Sequence, residues 1–295
     1  MADLWVLPDK EDPLLYPPFP LENHPQSVTT VTDAIEKVAE HLAQRDDLCL
    51  HWVGEPNTFP LGSEELRGRV HLYLDRHPCN PGRAARLAER IHVPSYYLKE
   101  KLERVDIFHP GQIALLEPLP ADRPHRWQPA GATMRRDLRE KKNWRGRKVI
   151  LAIKESLTPL ETFRLRRIMN RLKKGAFPEL LFSLEPMRSV FEWLPGIEAV
   201  FVGGATDQCF SPFLLEAMAA GIPLLAIDAG DRREWVLHGH TGLLLSKKET
   251  GPQWVQSISL FLRNGALRRS LGLNGRFIFQ WHRSRWKTSE GKGGT

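Results

Sequence analysis

FSPFLLEAMAAGIPLLAIDAGDRREWVLHGHTGLLL, Phe210 to Leu245, sets a single acidic residue, Glu216, inside a run of apolar and small residues before the chain breaks into glycines. The order is a helix over Pro212 to Ala220, a Gly-x-Pro break, an apolar strand PLLAID and a glycine turn. A helix that follows a strand and a loop turns unpaired backbone N–H groups and the positive end of its dipole toward the rim of the sheet. A diphosphate fits such a place. A carboxylate one turn into the helix suits vicinal hydroxyls instead, such as those of a ribose. Gly230, in AGDRRE at the carboxyl end of the next strand, lets backbone approach the same ligand. Taken singly, Glu216 is also an ordinary early-helix acid and Gly230 an ordinary turn; their order argues for a nucleotide site.

Strands and helices alternate on both sides of this stretch. Upstream, LWVLP (Leu4 to Pro8) reads as a first strand and VTTVTDAIEKVAEHLAQR (Val28 to Arg45) as a helix with Val31, Ile35, Val38 and Leu42 on one stripe. LCLHWVGE and RVHLYLD follow as strands, PGRAARLAERI as a helix, and HVPSYYLKEKLERV as a short strand leading into a helix that starts near Ser95. Between Leu115 and Lys148 the pattern dissolves into prolines and a basic run, which marks a linker. It then restarts with a strand over Lys148 to Lys154, a helix over Pro159 to Lys174, a strand ELLFSL, a short helix MRSVFEWL and a strand IEAVFVGG. Such alternation predicts parallel sheets covered by helices, the α/β class. The 295 residues, 41% of them hydrophobic, suffice for two domains. The expected division is residues 1–130, a basic linker 131–147, a second domain 148–280 and a tail 281–295.

The formal charge is +7 and the pI near 9.4. The excess concentrates in MRRDLREKKNWRGRK (Met134 to Lys148) and RLRRIMNRLKK (Arg164 to Lys174). Dense positive potential of this kind meets phosphates, anionic lipid headgroups or nucleic acid. In the second cluster Leu165, Ile168, Met169 and Leu172 recur at helical spacing, so its arginines read as a solvated helix face. No aromatic-interleaved RNA motif, finger or helix-turn-helix signature accompanies either cluster, and nucleic acid is not an expected partner. Cys49, Cys79 and Cys209 stand far apart without metal-ligand spacing and read as reduced thiols. No apolar run is long enough for a bilayer span, and MADLWVLPDKEDP places acids and prolines where a signal peptide needs a basic start. The expected location is the cytoplasm, with peripheral contact to an anionic membrane through the first cluster.

LLEAMAAGIPLLAIDAGDRREWVLHGHTGLLL resembles the signature of the retaining nucleotide-sugar glycosyltransferases of family 4: an acid, a small-residue helix, Gly-x-Pro, a strand, a glycine loop, Glu-x-Val and a Gly-x-x-Gly turn. QWVQSISLFLRNGALRRSLGLNGRFIFQWHRSRW is similar to the family's closing helices, and VPSYYLKEKL to its serine-led segment late in the first domain. The resemblance implies the GT-B architecture, two Rossmann-like domains facing a central cleft. It implies transfer of a sugar from a nucleotide donor, with retention, to a glycan, lipid-linked or protein acceptor in polysaccharide or glycoconjugate synthesis. Glu216 matches the second glutamate of the family's pair, which holds the ribose; the first falls on Gln208. The amides of Cys209 and Phe210 match its diphosphate binders, and Leu215, Gly230 and Asp231 complete the expected donor-binding set.

Gln208 can hydrogen-bond a sugar hydroxyl but carries no charge for a developing cation. Of the cations that the family places after the first strand of its second domain, Lys154 remains, and no second lysine is in register. His77, after the strand LYLD, is the candidate histidine at the acceptor or sugar, with His51 and His92 as alternatives. The expected catalytic set is therefore Gln208, Lys154 and His77. No Asp-x-Asp motif ends a strand, so neither metal nor other cofactor is expected. A GT-B scaffold that keeps nucleotide binding without catalysis is the alternative, and a basic protein binding membrane or nucleic acid is a further one.

Overall fold

The computed structural model of the chain describes residues 2–7, 28–30, 48–53, 70–74, 81–115, 132–204 and 212–290, with strand backbone alone up to Val53. The chain divides into two compact units, Met1–Asp122 with Gln208–Pro212 and Arg123–Asp207 with Phe213–Thr295. Among the described residues each contains one sheet, and every strand pair is parallel.

In the first unit β1 (Ala2–Leu7), β2 (Val28–Thr30), β3 (Leu48–Val53), β4 (Val70–Tyr73), β5 (Arg90–Val93) and β6 (Ile113–Leu115) lie in the order β2-β1-β3-β4-β5-β6. Parallel neighbours need crossover connections, and α1 (Pro81–Leu87) and α2 (Tyr96–Glu103) are two of them. Ser95 caps α2 by accepting a hydrogen bond from the Leu98 amide at 3.2 Å, and Leu98 and Leu102 are buried where the helix lies against β5 and β6. Val28–Thr30 departs from the helix expected there: it pairs with Trp5–Leu7 as an edge strand. Its three β-branched residues suit a pleated edge better than a helix start. The rest of that expected helix lies outside the described residues.

The second unit holds β7 (Lys148–Ile153), β8 (Leu180–Glu185), β9 (Ala199–Val202), β10 (Leu224–Ile227) and β11 (Gly242–Leu245), in the order β11-β10-β9-β7-β8. Around them run α3 (Ala132–Lys141), α4 (Pro159–Lys174), α5 (Met187–Trp193), α6 (Pro212–Ala219), α7 (Arg232–Trp235), α8 (Gly251–Arg263) and α9 (Gly265–Glu290). The residues of β9 and β10 are all buried, as strands covered on both faces must be. On one face, Leu165, Ile168, Met169 and Leu172 of α4 meet Trp254, Ile258, Phe261 and Leu262 of α8 above Ile150, Phe201 and Ile227. Each such side chain contributes about 1.5 to 3 kcal/mol by leaving water, which fixes α4 and α8 over the sheet.

Two of the expected segments contain helix. The stretch read as a basic linker contains α3, held to the turn before β9 by Arg135 and Arg139. The segment read as a tail continues α9 through Glu290. Among the described residues, no helix is long and apolar enough to cross a membrane.

Candidate functional site

In the second sheet the strand order turns back between β7 and β9, so the connections from these two strands leave toward opposite sides. Open α/β sheets take ligands at such a switch point, beyond the carboxyl ends of the strands. The residues there are Lys154 after β7, Gly203 and Gly204 after β9, and Asp228 to Asp231 after β10. Neighbouring strands lie about 4.8 Å apart. Lys154 and Asp228, two strands apart through β9, are thus separated by roughly 10 Å of backbone, a span on the scale of a nucleoside diphosphate.

The turn after β7 is clasped to β9. Ser156 donates to the carbonyl of Ile153 and accepts from the Gly203 amide, each at 2.8 Å, with its side chain buried. A β-carbon on Gly203 would run into the Ser156 carbonyl oxygen and come within 2.5 Å of Leu157 Cδ2. Only glycine permits this approach. Beside it, Thr158 and Glu161 form a capping box at the start of α4, with Glu161 accepting from the Thr158 amide at 3.0 Å and the Gly204 amide at 3.4 Å. Lys154 opens the clasped turn and is exposed at the rim. A rigid backbone thus presents a flexible cation.

Across the rim, α6 is buried along Leu214 to Ala219, and Glu216 within it is 4% exposed. Leu215 beside it is equally enclosed. A carboxylate so far removed from water is tolerated where hydrogen-bond donors face it. The helix ends in a Schellman motif: Gly221, at φ 70°, and Ile222 donate to the carbonyls of Met218 and Ala217, both at 2.9 Å, and Pro223 stops the helix. The Gly-x-Pro break is therefore a helix stop rather than room for a ligand. Gly242 and Gly272 likewise serve packing, because a β-carbon on either would meet the backbone of Leu224 or Gly221.

Gly230 stands at the rim after β10, in the left-handed region at φ 60°. The turn around it is held by Arg233, which grips both carboxylate oxygens of Asp228, the Nη2–Oδ2 arm at 2.9 Å. The hydrogen bond and charge of Arg233 hold the Asp228 carboxyl below its ordinary range, and Asp228 raises the guanidinium in return. Asp231 is buried with Arg232, their charged atoms 3.6 Å apart, and Arg232 also donates to the Ala229 carbonyl. Asp231 thus takes part in fixing the loop.

The structure brings Lys154, Glu216, Leu215, Gly230 and Asp231 into the second unit, on elements that end at or follow the same sheet edge. Gln208, Cys209 and Phe210 lie outside the described residues, as does His77. His51 falls in β3. His92 stands within β5, stacked on Tyr73 at 4.5 Å with its Nε2 3.4 Å from His71 Nδ1, so it belongs to a cross-strand ring cluster. Among the described residues, no group of three or more His, Cys, Asp or Glu side chains could hold a metal ion.

Two features escaped the reading of the sequence. One is the clasp of Ser156 on Gly203, whose only trace is the pair of glycines ending IEAVFVGG. The other is Glu198, reached by Arg135 at 3.0 Å, Arg139 at 3.3 Å and Arg268 at 3.5 Å. Arg139 also donates to the carbonyls of Gly196, Trp144 and Arg147, and burial lowers its pKa, with the charge of Glu198 opposing. Two arginines of the first basic cluster are thus structural.

Residues 199–277, from β9 into α9, match the family described as Glycosyl transferases group 1. No curated protein sequence matches the chain. Among solved structures, that of Anabaena Alr3699/HepE in complex with UDP is 13% identical, covers 95% of both chains and superposes with a TM-score of 0.67. A glycosyltransferase from Rickettsia africae ESF-5 is 9% identical over 94% of this chain and 93% of its own, with a TM-score of 0.68. Sucrose-phosphate synthase from Thermosynechococcus elongatus is 15% identical over 88% of this chain and 76% of its own, at 0.60. At such identities the likeness shows the fold, which is that of the GT-B glycosyltransferases.

Proposed function

We propose that the protein is a glycosyltransferase that takes a sugar from a nucleoside-diphosphate donor held by its second unit, in the manner of the retaining family 4 enzymes. The observation that carries this is Glu216: a buried carboxylate on a helix flanking the switch point, inside the segment that matches the glycosyl transferases group 1 family. In this reading its oxygens accept from the ribose hydroxyls, Leu215 closes on the nucleoside, and Gly230 brings backbone N–H groups to the diphosphate. Asp231 fixes that loop. Lys154 and the amides of Cys209 and Phe210 neutralise the leaving diphosphate without a metal ion. Gln208 orients the sugar and His77 stands on the acceptor side.

The transfer breaks the bond from the sugar's anomeric carbon to the diphosphate oxygen and forms one to the acceptor hydroxyl oxygen on the same face. The acceptor proton leaves on the departing phosphate. Crystals of HepE with UDP and with UDP-glucose support UDP-glucose as the first donor to try. A hexose, a glycan, lipid-linked or protein acceptor, and a place in the cytoplasm complete the proposal.

Calorimetric titration with UDP and GDP tests the donor site: Glu216→Ala should weaken the better ligand by about 1.5 to 3 kcal/mol, the worth of charge-assisted hydrogen bonds. Equal affinity in wild type and variant excludes the ribose role. A second reading, a scaffold that binds nucleotide without transfer, is favoured by Gln208 in place of an acid and by a single lysine after β7. Nucleotide binding with no sugar release from any donor, in wild type and in Gln208→Glu, selects the scaffold.

A further inference from the structure

The excess positive charge sorts into spent and unspent parts. Arg135, Arg139 and Arg268 converge on Glu198, Lys148 pairs with Glu179 at 2.8 Å, Arg145 pairs with Glu140, and Lys142 sits 3.8 Å over the ring of Trp193. On α4, Arg164 turns inward, over Trp254 at 4.1 Å and onto the carbonyls of Lys247 and Glu249. Arg166, Arg167, Arg171, Lys173 and Lys174 are different: all are exposed, and among the described residues none of their side chains is in an ion pair or hydrogen bond. The one acid of α4, Glu161, is committed to the capping box. The outward face of this helix is cationic without a counter-charge.

The same face carries two large apolar side chains. Leu160 is 76% exposed and Phe163 is 66% exposed, both within the first two turns. With the buried stripe at Leu165, Ile168, Met169 and Leu172, helical periodicity puts Phe163, Arg167, Asn170 and Lys174 on the line farthest from the core. Leu160 and Arg171 flank that line on one side, Arg166 and Lys173 on the other. A shallow groove runs along it, lined by Phe163, Arg166, Arg167, Asn170, Arg171 and Lys174. From Leu160 to Lys174 the face is about 21 Å long at 1.5 Å per residue.

We propose that the outer face of α4 docks the protein on an anionic lipid bilayer, with Leu160 and Phe163 entering the headgroup–acyl boundary and the five cations lying on lipid phosphates. Charge complementarity selects an anionic partner, and the apolar pair selects lipid among anions, because an aliphatic leucine gains nothing from a solvated phosphate chain. The first turn of α4 is tied through Thr158, Glu161 and Gly204 to the ends of β7 and β9. Docking there holds the carboxyl edge of the second sheet close to the bilayer. In this last respect the proposal rests on the donor site proposed above, and implies a lipid-linked acceptor; the docking itself does not depend on catalysis.

Co-sedimentation of the full chain tests it, with vesicles of phosphatidylcholine containing about one-third phosphatidylglycerol against phosphatidylcholine alone. The wild type is expected to pellet with the anionic vesicles only, and raising salt from about 0.1 M to about 0.5 M should release it. Each cation removed should lower partitioning about fivefold, so Arg167→Gln, Arg171→Gln and Lys174→Gln together should lower it roughly a hundredfold. Leu160→Ser with Phe163→Ser should lower it at least about tenfold at unchanged charge. Arg269→Gln, an exposed cation on α9, should leave it unchanged. These side chains are exposed, so the variants should melt with the wild type. No pelleting, pelleting with both vesicle types, or pelleting that survives the α4 substitutions overturns the proposal. So does binding of a single-stranded oligonucleotide, lost in the same variants, with vesicles left unbound, which would assign the face to nucleic acid.

Discussion

Gly203→Ala replaces one hydrogen by a methyl group at the tightest point of the candidate site. The new β-carbon meets the Ser156 carbonyl oxygen, the Ser156 carbonyl carbon at 2.9 Å and Leu157 Cδ2 at 2.5 Å. Leucine can swing aside, but the two backbone atoms cannot, so the turn over Lys154 to Ser156 has to retreat by about 1 Å to reach ordinary contact. Retreat breaks the hydrogen bond from the Gly203 amide to Ser156 Oγ, in a setting where both residues are buried. Overpacking of this kind costs about 1 to 3 kcal/mol, and an orphaned buried donor adds about 1 to 3 kcal/mol. Partial relaxation places the sum at about 3 kcal/mol, which for a unit of this size lowers its melting temperature by roughly 6 to 12 °C. The assay is thermal unfolding with amide hydrogen exchange of β7 and β9, set against Gly251→Ala, where a β-carbon meets nothing within 4 Å. The control should be neutral or slightly stabilising. Below its melting temperature, Gly203→Ala should also bind UDP less tightly, since Lys154 rides on the displaced turn. Equal melting of Gly203→Ala and Gly251→Ala would refute the clasp.

Lys154→Ala should weaken binding of a nucleoside diphosphate about tenfold while leaving the free nucleoside unaffected; titration of both ligands checks this, and equal losses would move the lysine away from the phosphates. Glu198→Gln leaves three arginines facing one another, and because the site keeps some contact with solvent the expected loss is about 2 kcal/mol, read from urea unfolding of the second unit. The Asp228–Arg233 grip carries a pH signature. Because the aspartate pKa is depressed in the folded chain, its stabilisation is complete above the unfolded value of about 3.9 and disappears as pH falls through the lower, folded value. With Arg233 largely exposed, wild type should exceed Asp228→Asn by no more than about 1 kcal/mol, constant from about pH 5 to 8 and shrinking only below about pH 4. A difference that shrinks near neutral pH would point to another group.

The strands of the second unit were legible because buried parallel strands are short apolar runs bounded by breaks, as KVILAI, AVFV and LLAI are. Both ends of α4 were legible as well, from the apolar period and from Pro159 at its first position. The likeness around Glu216 picked out the segment that matches the glycosyl transferases group 1 family, because an acid in an apolar helix between two strands is a local pattern. Shorter or marginal elements were not legible: Ile113–Leu115 is three residues long, and Val28–Thr30 is a strand only because Trp5–Leu7 lies beside it. The basic run at Met134 looked like a linker for the same reason. Arg135 and Arg139 make sense only beside Glu198, more than 50 positions away, which no local pattern records.

Periodicity, breaks and residue type thus determined the α/β alternation, the inward stripe of α4 and the identity of Glu216, Lys154 and Gly230 as candidates, because these properties belong to neighbours in the chain. Tertiary structure decided which glycine is a helix stop, which is a packing contact and which stands at the rim, and in which of two equally basic segments arginines converge on a distant acid. The physical reason is the same in each case. A β-carbon is forbidden, or a charge is paired, by atoms that strand order brings from distant parts of the chain, and their approach is fixed by the burial of whole faces rather than by the residues that meet.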